Sequence, residues 1–393
     1  MIEYDVAIIG AGAAGMMCAV EAGKRGRTAV LIEHADKPGE KIRISGGGRC
    51  NFTNLHCGPN NFISANPHFA KSALKRYSQR EFIAWIDRHR IAWHEKTLGQ
   101  LFCDGPATQI IDALRDEMRE AGVGLRLGVS VASHERKGEG FVLKLSDGSV
   151  FGCRSLVIAT GGKSIPKMGA TGFAYDVARA YGLAVTETRP ALVPLTFGPD
   201  ILERFKPIAG VAVDAIVSAG KTSFEEALLF THRGLSGPAI LQISSYWREG
   251  EEISINFQPG FGIFDELKSQ RAENGRQAIG TAMSVFLPRR LAQLLAADCG
   301  LSGNLADQSD KKLKALEAWL RDWRIKPTGS EGYRTAEVTL GGIDTDGLDS
   351  RSMEARGVPG LYFIGEAVDV TGWLGGFNFQ WAWSSGWCAG QHV

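Results

Sequence analysis

The run Asp5 to Gly15 (DVAIIGAGAAG) sets an apolar strand directly onto a G-x-G-x-x-G turn, and few folds accept that arrangement. Gly10 permits the tight bend, Gly12 lets backbone approach a ligand, and Gly15 lets the next helix pack closely on the strand. With 49 glycines in 393 residues, the spacing alone arises by chance roughly once per chain, so its context carries the weight. Val6 to Ile9 is a buried-type strand, Ala13 to Val20 a small-residue helix, and Thr28 to Ile32 a second apolar strand ending on Glu33, 18 residues past Gly15. Such a β-α-β unit presents the amides of Gly12, Ala13 and Ala14 and the positive end of a helix to a pyrophosphate. The carboxylate of Glu33 falls where ribose hydroxyls need an acceptor.

The chain is long enough for two domains with buried cores, and its 44% hydrophobic and 22% charged residues are those of a globular protein. A net charge of +1 gives no field to draw nucleic acid or an anionic membrane, so neither is expected as a partner. Glu3 and Asp5 stand where a signal peptide would be basic, and the apolar stretch that follows is too short and Gly-rich to span a bilayer. Seven cysteines without framework spacing suit reduced thiols and a cytoplasmic location. No zinc-type Cys/His spacing occurs, so no metal is expected.

Further along, Gly39 to Asn54 reads as a glycine-rich loop. Pro67 to His89 and Ala107 to Ala121 read as helices, and Ser155 to Ala159 as another buried strand. The rhythm changes near Pro190. Val211, Val213, Ala215 and Val217 alternate, as do Ile253, Ile255 and Phe257, which predicts antiparallel strands. Helical patterns then run from about 264 to 325, the last with an apolar stripe of Leu313, Leu316, Trp319, Leu320 and Trp323. Strand, loop and helix return over Arg334 to Val393. The expected fold is α/β: a discontinuous Rossmann-like domain over residues 1–190 and 330–393, a parallel sheet with helices. Between its halves, residues 191–329 form an antiparallel, barrel-like β domain carrying the helical subdomain.

Three features favour FAD over a nicotinamide coenzyme. The chain has a single G-x-G-x-x-G, with no second nucleotide domain. Ala159, Thr160 and Gly161, followed by Gly162, end a strand in a turn open to a cofactor's approach. In the last section, Gly365, Glu366 and Asp369 follow a strand, and Gly376, Phe377, Asn378 and Gln380 open a helix. A carboxylate there suits ribityl hydroxyls, and helix amides suit the flavin edge where charge collects on reduction.

With these residues the chain resembles the BaiN/YhiN-like family of bacterial FAD-dependent oxidoreductases, two-dinucleotide-binding-domain flavoproteins. The resemblance rests on SGGGRCNFTN (Ser45 to Asn54), FTHRGLSGP (Phe230 to Pro238) and GGFNFQWAWSSG (Gly375 to Gly386). The segment Pro166 to Gly172 is similar to that of a shorter subgroup. The resemblance implies that Lys41, Ser45, Gly46, Gly48, Arg49, Cys50 and Asn51 lie along the FAD and that Val131 meets the adenine. It also implies reduction of activated C=C bonds or oxidation of small amines.

No catalytic residue is fixed by the sequence. Cys50 lies where related disulfide reductases keep a redox pair, but Cys57 follows at C-x6-C, the wrong spacing. Arg49 could hold a pyrophosphate or an anionic substrate. His232 is of the residue type suited to proton donation near neutral pH. The expected activity is reduction of a small, carbonyl-conjugated C=C substrate by hydride passed through flavin N5, with NAD(P)H as a transient donor. The alternatives are a flavin-dependent amine oxidase and a non-catalytic redox-sensing flavoprotein. A flavoenzyme acting on RNA is disfavoured by the missing basic stripe.

Overall fold

A computed structural model of the protein describes residues 2–393, which divide into two compact units: residues 2–189 with 338–393, and residues 190–337. The first unit is built on a seven-stranded sheet. Its strands are β1 (Ile2–Ile9), β2 (Ala29–Ile32), β3 (Gly124–Arg126), β4 (Val131–Lys137), β5 (Gly140–Leu145), β6 (Val150–Ile158) and β7 (Leu361–Phe363). β3, β2, β1, β6 and β7 run parallel in that order, with Ile9 opposite both Ile32 and Ile158. The first half of β6 pairs instead with the antiparallel β4–β5 hairpin. Between β3 and β4 the left-handed Gly128 interrupts the extended run.

The apolar residues Val6 to Ile9 and Ala29 to Ile32 are buried on both faces, which is why they read as unbroken runs rather than alternating ones. Helix α1 (Ala13–Lys24) crosses from β1 to β2 and is buried on nearly every side. Its small residues admit a second helix, α3 (Phe377–Gly390). A Cβ on Gly386 would lie 2.4 Å from the Ala14 carbonyl oxygen, and one on Gly390 would lie 3.0 Å from that of Cys18. Between them in sequence lies α2 (Glu40–Gly48), whose helical conformation ends before Ser45. The segment read as a loop therefore opens as a helical turn. Likewise the pattern 67–89 is two helices, Ala70–Arg76 and Gln79–Arg88, the second begun by a Ser78–Glu81 capping box.

The second unit holds a seven-stranded sheet, antiparallel throughout, in the order Trp323–Ile325, Ile253–Asn256, Ala212–Ala219, Thr222–Thr231, Gly234–Ser236, Leu195–Thr196, Gly329–Ser330. Helices Ile263–Asn274, Ile279–Met283, Arg289–Asp298 and Asp310–Arg321 fill the connection between two of its strands. Leu313, Leu316 and Leu320 form the buried face of the last helix. Trp323 lies past its end, on a strand, packed on Phe257 and Phe205. Among the described residues no helix is long and apolar enough to cross a membrane.

Candidate active site

At the carboxyl ends of β1, β2 and β6 lies a cavity of about 360 Å³. Open parallel sheets bind ligands at this edge. The glycine turn forms its floor. Gly10 has φ +107°, and a Cβ there would lie 2.6 Å from the Ala159 carbonyl oxygen; at Gly15 it would lie 1.9 Å from that of Gly10. These two glycines are required by the protein's own packing. Gly12 is different: its φ is −83°, and a Cβ there would meet nothing within 4 Å. No side chain caps the first turn of α1, where Ala13 and Ala14 begin the helix. The space and the free helix end fit a pyrophosphate.

Glu33 closes the turn. Its carboxylate accepts from the amides of Ala11 (2.7 Å) and Ala35 (3.0 Å) and meets His34 Nδ1 at 2.8 Å. A carboxylate has about four acceptor directions, so ribose hydroxyls still find a partner. Val131 lines the same end of the cavity with Val129 and Ser130. Across the floor, Ala159, Thr160 and Gly161 form the opposite wall. Thr160 Oγ1 is buried without a hydrogen-bond partner, and a Cβ on Gly161 would meet open space. An orphaned hydroxyl and two glycines facing emptiness are what a bound dinucleotide such as FAD would complete.

At one end of the cavity stands a polar cluster. Lys41 Nζ pairs with Glu366 and donates to Ser164 Oγ (2.6 Å). Ser164 in turn donates to Glu366 Oε1 (2.9 Å), which also accepts from the Thr339 amide (3.0 Å). These groups have the donors and acceptors that ribityl hydroxyls need. Next to them, Gly365 donates to Ser385 Oγ and packs against Ala14.

Other residues singled out by the sequence have different work. The Asp369 carboxylate is buried and accepts from the Ala65 amide at 2.9 Å; burial pushes its pKa up. Gln380 is fully buried and committed to Thr53, Tyr77 and Ser384. Asn378 pins the loop at Gly372 by both its oxygen and its nitrogen. Phe377 packs edge-on against Phe62 and Trp373. These four build the turn that presents Gly376 and the first amides of α3, rather than lining the cavity.

Gly46, Gly47 and Gly48 all have positive φ, as does Cys50. A Cβ on Gly46 would strike the Phe102 ring at 2.7 Å. This winding path exposes Arg49, which forms no ion pair among the described residues, while Ser45 turns inward onto the Ile42 carbonyl and Asn51 lies against Gln100. Cys50 is fully buried, and desolvation drives its thiol pKa well above the ordinary range, the opposite of an activated thiol. His232 sits exposed on the turn between strands Thr222–Thr231 and Gly234–Ser236 of the second unit. The sequence did not single out His34, Met168, Gly169 or Phe173 as site residues, yet all line the cavity. The signal was present in Gly169: φ +88°, with the His34 ring where a Cβ would be. Among the described residues no His, Cys, Asp and Glu gather as metal ligands would.

A Rossmann sheet whose glycine turn, acid and C-terminal carboxylate meet in one cleft defines a flavoprotein oxidoreductase. The model of the HI0933-like protein Rossmann domain matches residues 4–392, and the chain belongs to that family. The ribosomal RNA dihydrouridine synthase of Escherichia coli (strain K12) is 53% identical over 399 residues, 100% of this chain and 98% of that protein. The enzyme of that name from Haemophilus influenzae is 43% identical, over 96% of this chain and 95% of its own. The 3-dehydro-bile acid delta(4,6)-reductase of Clostridium scindens is 28% identical over 98% of each chain. The protein is thus an enzyme of FAD-dependent oxidoreductase type, as the motif SGGGRCNFTN implies. One expectation is overturned: the absence of a nucleic-acid partner, argued from net charge, conflicts with two full-length relatives named for a reaction on ribosomal RNA.

Proposed function

We propose that this protein reduces the C5=C6 bond of a uridine in ribosomal RNA to give dihydrouridine, with NAD(P)H as the electron source. The observation that carries the reading is the 53% identity, over the whole chain, to a ribosomal RNA dihydrouridine synthase. The chemistry agrees with the class expected from the sequence, because the uracil C5=C6 bond is conjugated to the C4 carbonyl. In the balanced reaction one carbon gains a hydride and its neighbour a proton, while NAD(P)H is oxidised to NAD(P)⁺. Bound FAD would supply the two-electron carrier between donor and base.

The protein's part is to hold and orient. The first amides of α1 and its dipole would hold the pyrophosphate, Glu33 the adenosine ribose, and Lys41, Glu366 and Ser164 the ribityl chain. The N-terminal amides of α3 would supply donors and a positive dipole end to the flavin edge that becomes electron-rich on reduction. Cys50 is a poor proton donor, because a thiol whose pKa is raised this far by burial is badly matched to neutral pH. A substrate in ribosomal RNA also implies a cytoplasmic site of action.

The test is anaerobic mixing of the purified holoenzyme with NADH or NADPH, which should bleach the flavin band. Ribosomal RNA lacking the modification should then restore the band, and digested nucleosides should show a uridine that has gained two hydrogens. A flavin that no ribosomal RNA reoxidises, with nucleosides unchanged, overturns the reading. Bleaching by amines with peroxide release would mark an amine oxidase, and partner capture that tracks redox state without turnover would mark a sensor.

A further inference from the structure

In the first unit, strands Asn51–Asn54, Gln100–Cys103 and Trp93–Glu95 form a small antiparallel sheet. The turn that joins Trp93–Glu95 to Gln100–Cys103 carries Leu98, which is 62% exposed and sits in the left-handed region at φ +54° just before Gly99 at φ +75°. A leucine there is strained by roughly 1–2 kcal/mol, and exposure means that no packing compensates. Strain held without local return points to function.

The position of Leu98 is fixed rather than loose. The side-chain amide of Asn54, 1% exposed, donates at 3.0 Å both to the Leu98 carbonyl and to the Gly375 carbonyl. Its oxygen accepts from the His56 amide at 2.9 Å. Gln100 packs on the same glycine, since a Cβ on Gly375 would lie 3.1 Å from its Cδ. One buried asparagine thus ties the hairpin tip to the Gly375–Gly376 turn that opens α3. Beside the tip, Lys96 Nζ lies 5.4 Å from the Phe102 ring centre; Arg49 stands at the other end of the small sheet, where its carbonyl accepts from the Cys103 amide, and neither cation forms an ion pair among the described residues. Leu55 beside it is 37% exposed. His94 is paired with Asp104, leaving Glu95 as the carboxylate at the tip without an ion pair.

We infer that this hairpin tip is an RNA-docking wedge: Leu98 fills the gap left when the target uridine leaves its stack, while Lys96 takes a flanking phosphate. The inference rests on the proposed reaction on ribosomal RNA. A base inside a stack cannot reach a cofactor held within a protein cleft. Enzymes that modify bases must extrude them, and apolar side chains inserted between bases stabilise the unstacked state. A cation beside the wedge suits the phosphate next to the extruded nucleotide.

Leu98→Asn tests this without risk to the fold, because asparagine tolerates the left-handed conformation better than leucine does. The flavin is reduced chemically, and its reoxidation is followed with two substrates: folded ribosomal RNA and a short unstructured uridine oligonucleotide. With folded RNA, kcat/KM should fall at least about tenfold, while the oligonucleotide should react within about twofold of wild type. Equal rates for both proteins on folded RNA, or an equal loss on both substrates, overturn the wedge alone. A wild-type protein inert towards both substrates overturns the underlying reaction and the wedge with it. Lys96→Gln should lower the slope of log binding constant against log salt by about one; an unchanged slope removes Lys96 from the interface.

Discussion

Replacing Gly12 with serine puts a hydroxymethyl group where the protein itself has nothing within 4 Å. The backbone there is extended, φ −83° and ψ −171°, the ordinary conformation of a residue that precedes a helix. Serine is a good residue at that position, so the apoprotein should keep its stability to within about 1 kcal/mol, about 2 °C in Tm or less. The same group fills the space argued to take a pyrophosphate. Losing two charge-assisted bonds from helix amides costs about 3–5 kcal/mol, so the Kd for FAD should rise by roughly 100-fold to 4,000-fold. The assay pairs thermal unfolding of the apoprotein with titration by quenching of flavin fluorescence. At a free FAD concentration 100 times the wild-type Kd, binding stabilises wild type by about 2.7 kcal/mol, and a variant weakened a hundredfold by about 0.4 kcal/mol. A Gly12→Ser protein that binds FAD as wild type does would refute the pyrophosphate assignment. One that fails to fold would refute the claim that the space beside Gly12 lies outside the protein's own packing.

Gly15→Ala should behave in the opposite way: its methyl would lie 1.9 Å from the Gly10 carbonyl oxygen, so stability should drop by about 3 kcal/mol or more in urea unfolding whether or not FAD is present. Asp369→Asn should change the pH dependence of stability. Burial raises the folded pKa of Asp369 above its ordinary 3.8, so its favourable contribution is complete below about pH 4 and is lost as pH rises through the folded value. The neutral variant should therefore gain Tm over wild type from pH 4 to pH 7, and an equal difference at both ends would contradict the burial argument. In thiol titration of the native protein, Cys18, Cys50, Cys103, Cys153 and Cys388 should stay silent and only the half-buried Cys57 and Cys299 should react slowly. Fast labelling of Cys50 would show that it is accessible after all.

The nucleotide half of the site was legible because backbone demands set it. A turn at φ +107°, a helix packed against it and an acid at the next strand's end leave little freedom to Gly10, Gly15 and Glu33. The closing segment was legible as a segment but not residue by residue. Asn378, Gln380 and Asp369 are polar groups in a glycine-rich turn that reads as a ligand contact, and sequence cannot show that their partners are Gly372, Tyr77 and Ala65. Trp323 continued a helical spacing by coincidence, one residue after Asp322 ends the helix. The charge argument failed for a more general reason. Forty-four cations against forty-three anions is a sum over the surface, whereas nucleic acid is met by the local balance, and pairing of Arg43, Arg126 or Arg321 with nearby acids tells nothing about Arg49 and Lys96.

The packing of α3 on α1 joins distant parts of the chain: Arg25 donates to the Gly390 carbonyl across 365 residues of sequence. During synthesis the glycine turn emerges among the first residues, but the helix that backs it and the turn that would meet the flavin ring come after the whole second unit. An early fragment can form the β1–α1–β2 unit and offer amides to a phosphate, yet it lacks Glu366 and α3 and so cannot complete the cleft. A chain stalled before Phe377 would leave the faces of α1 around Ala14 and Cys18 bare to chaperones and proteases.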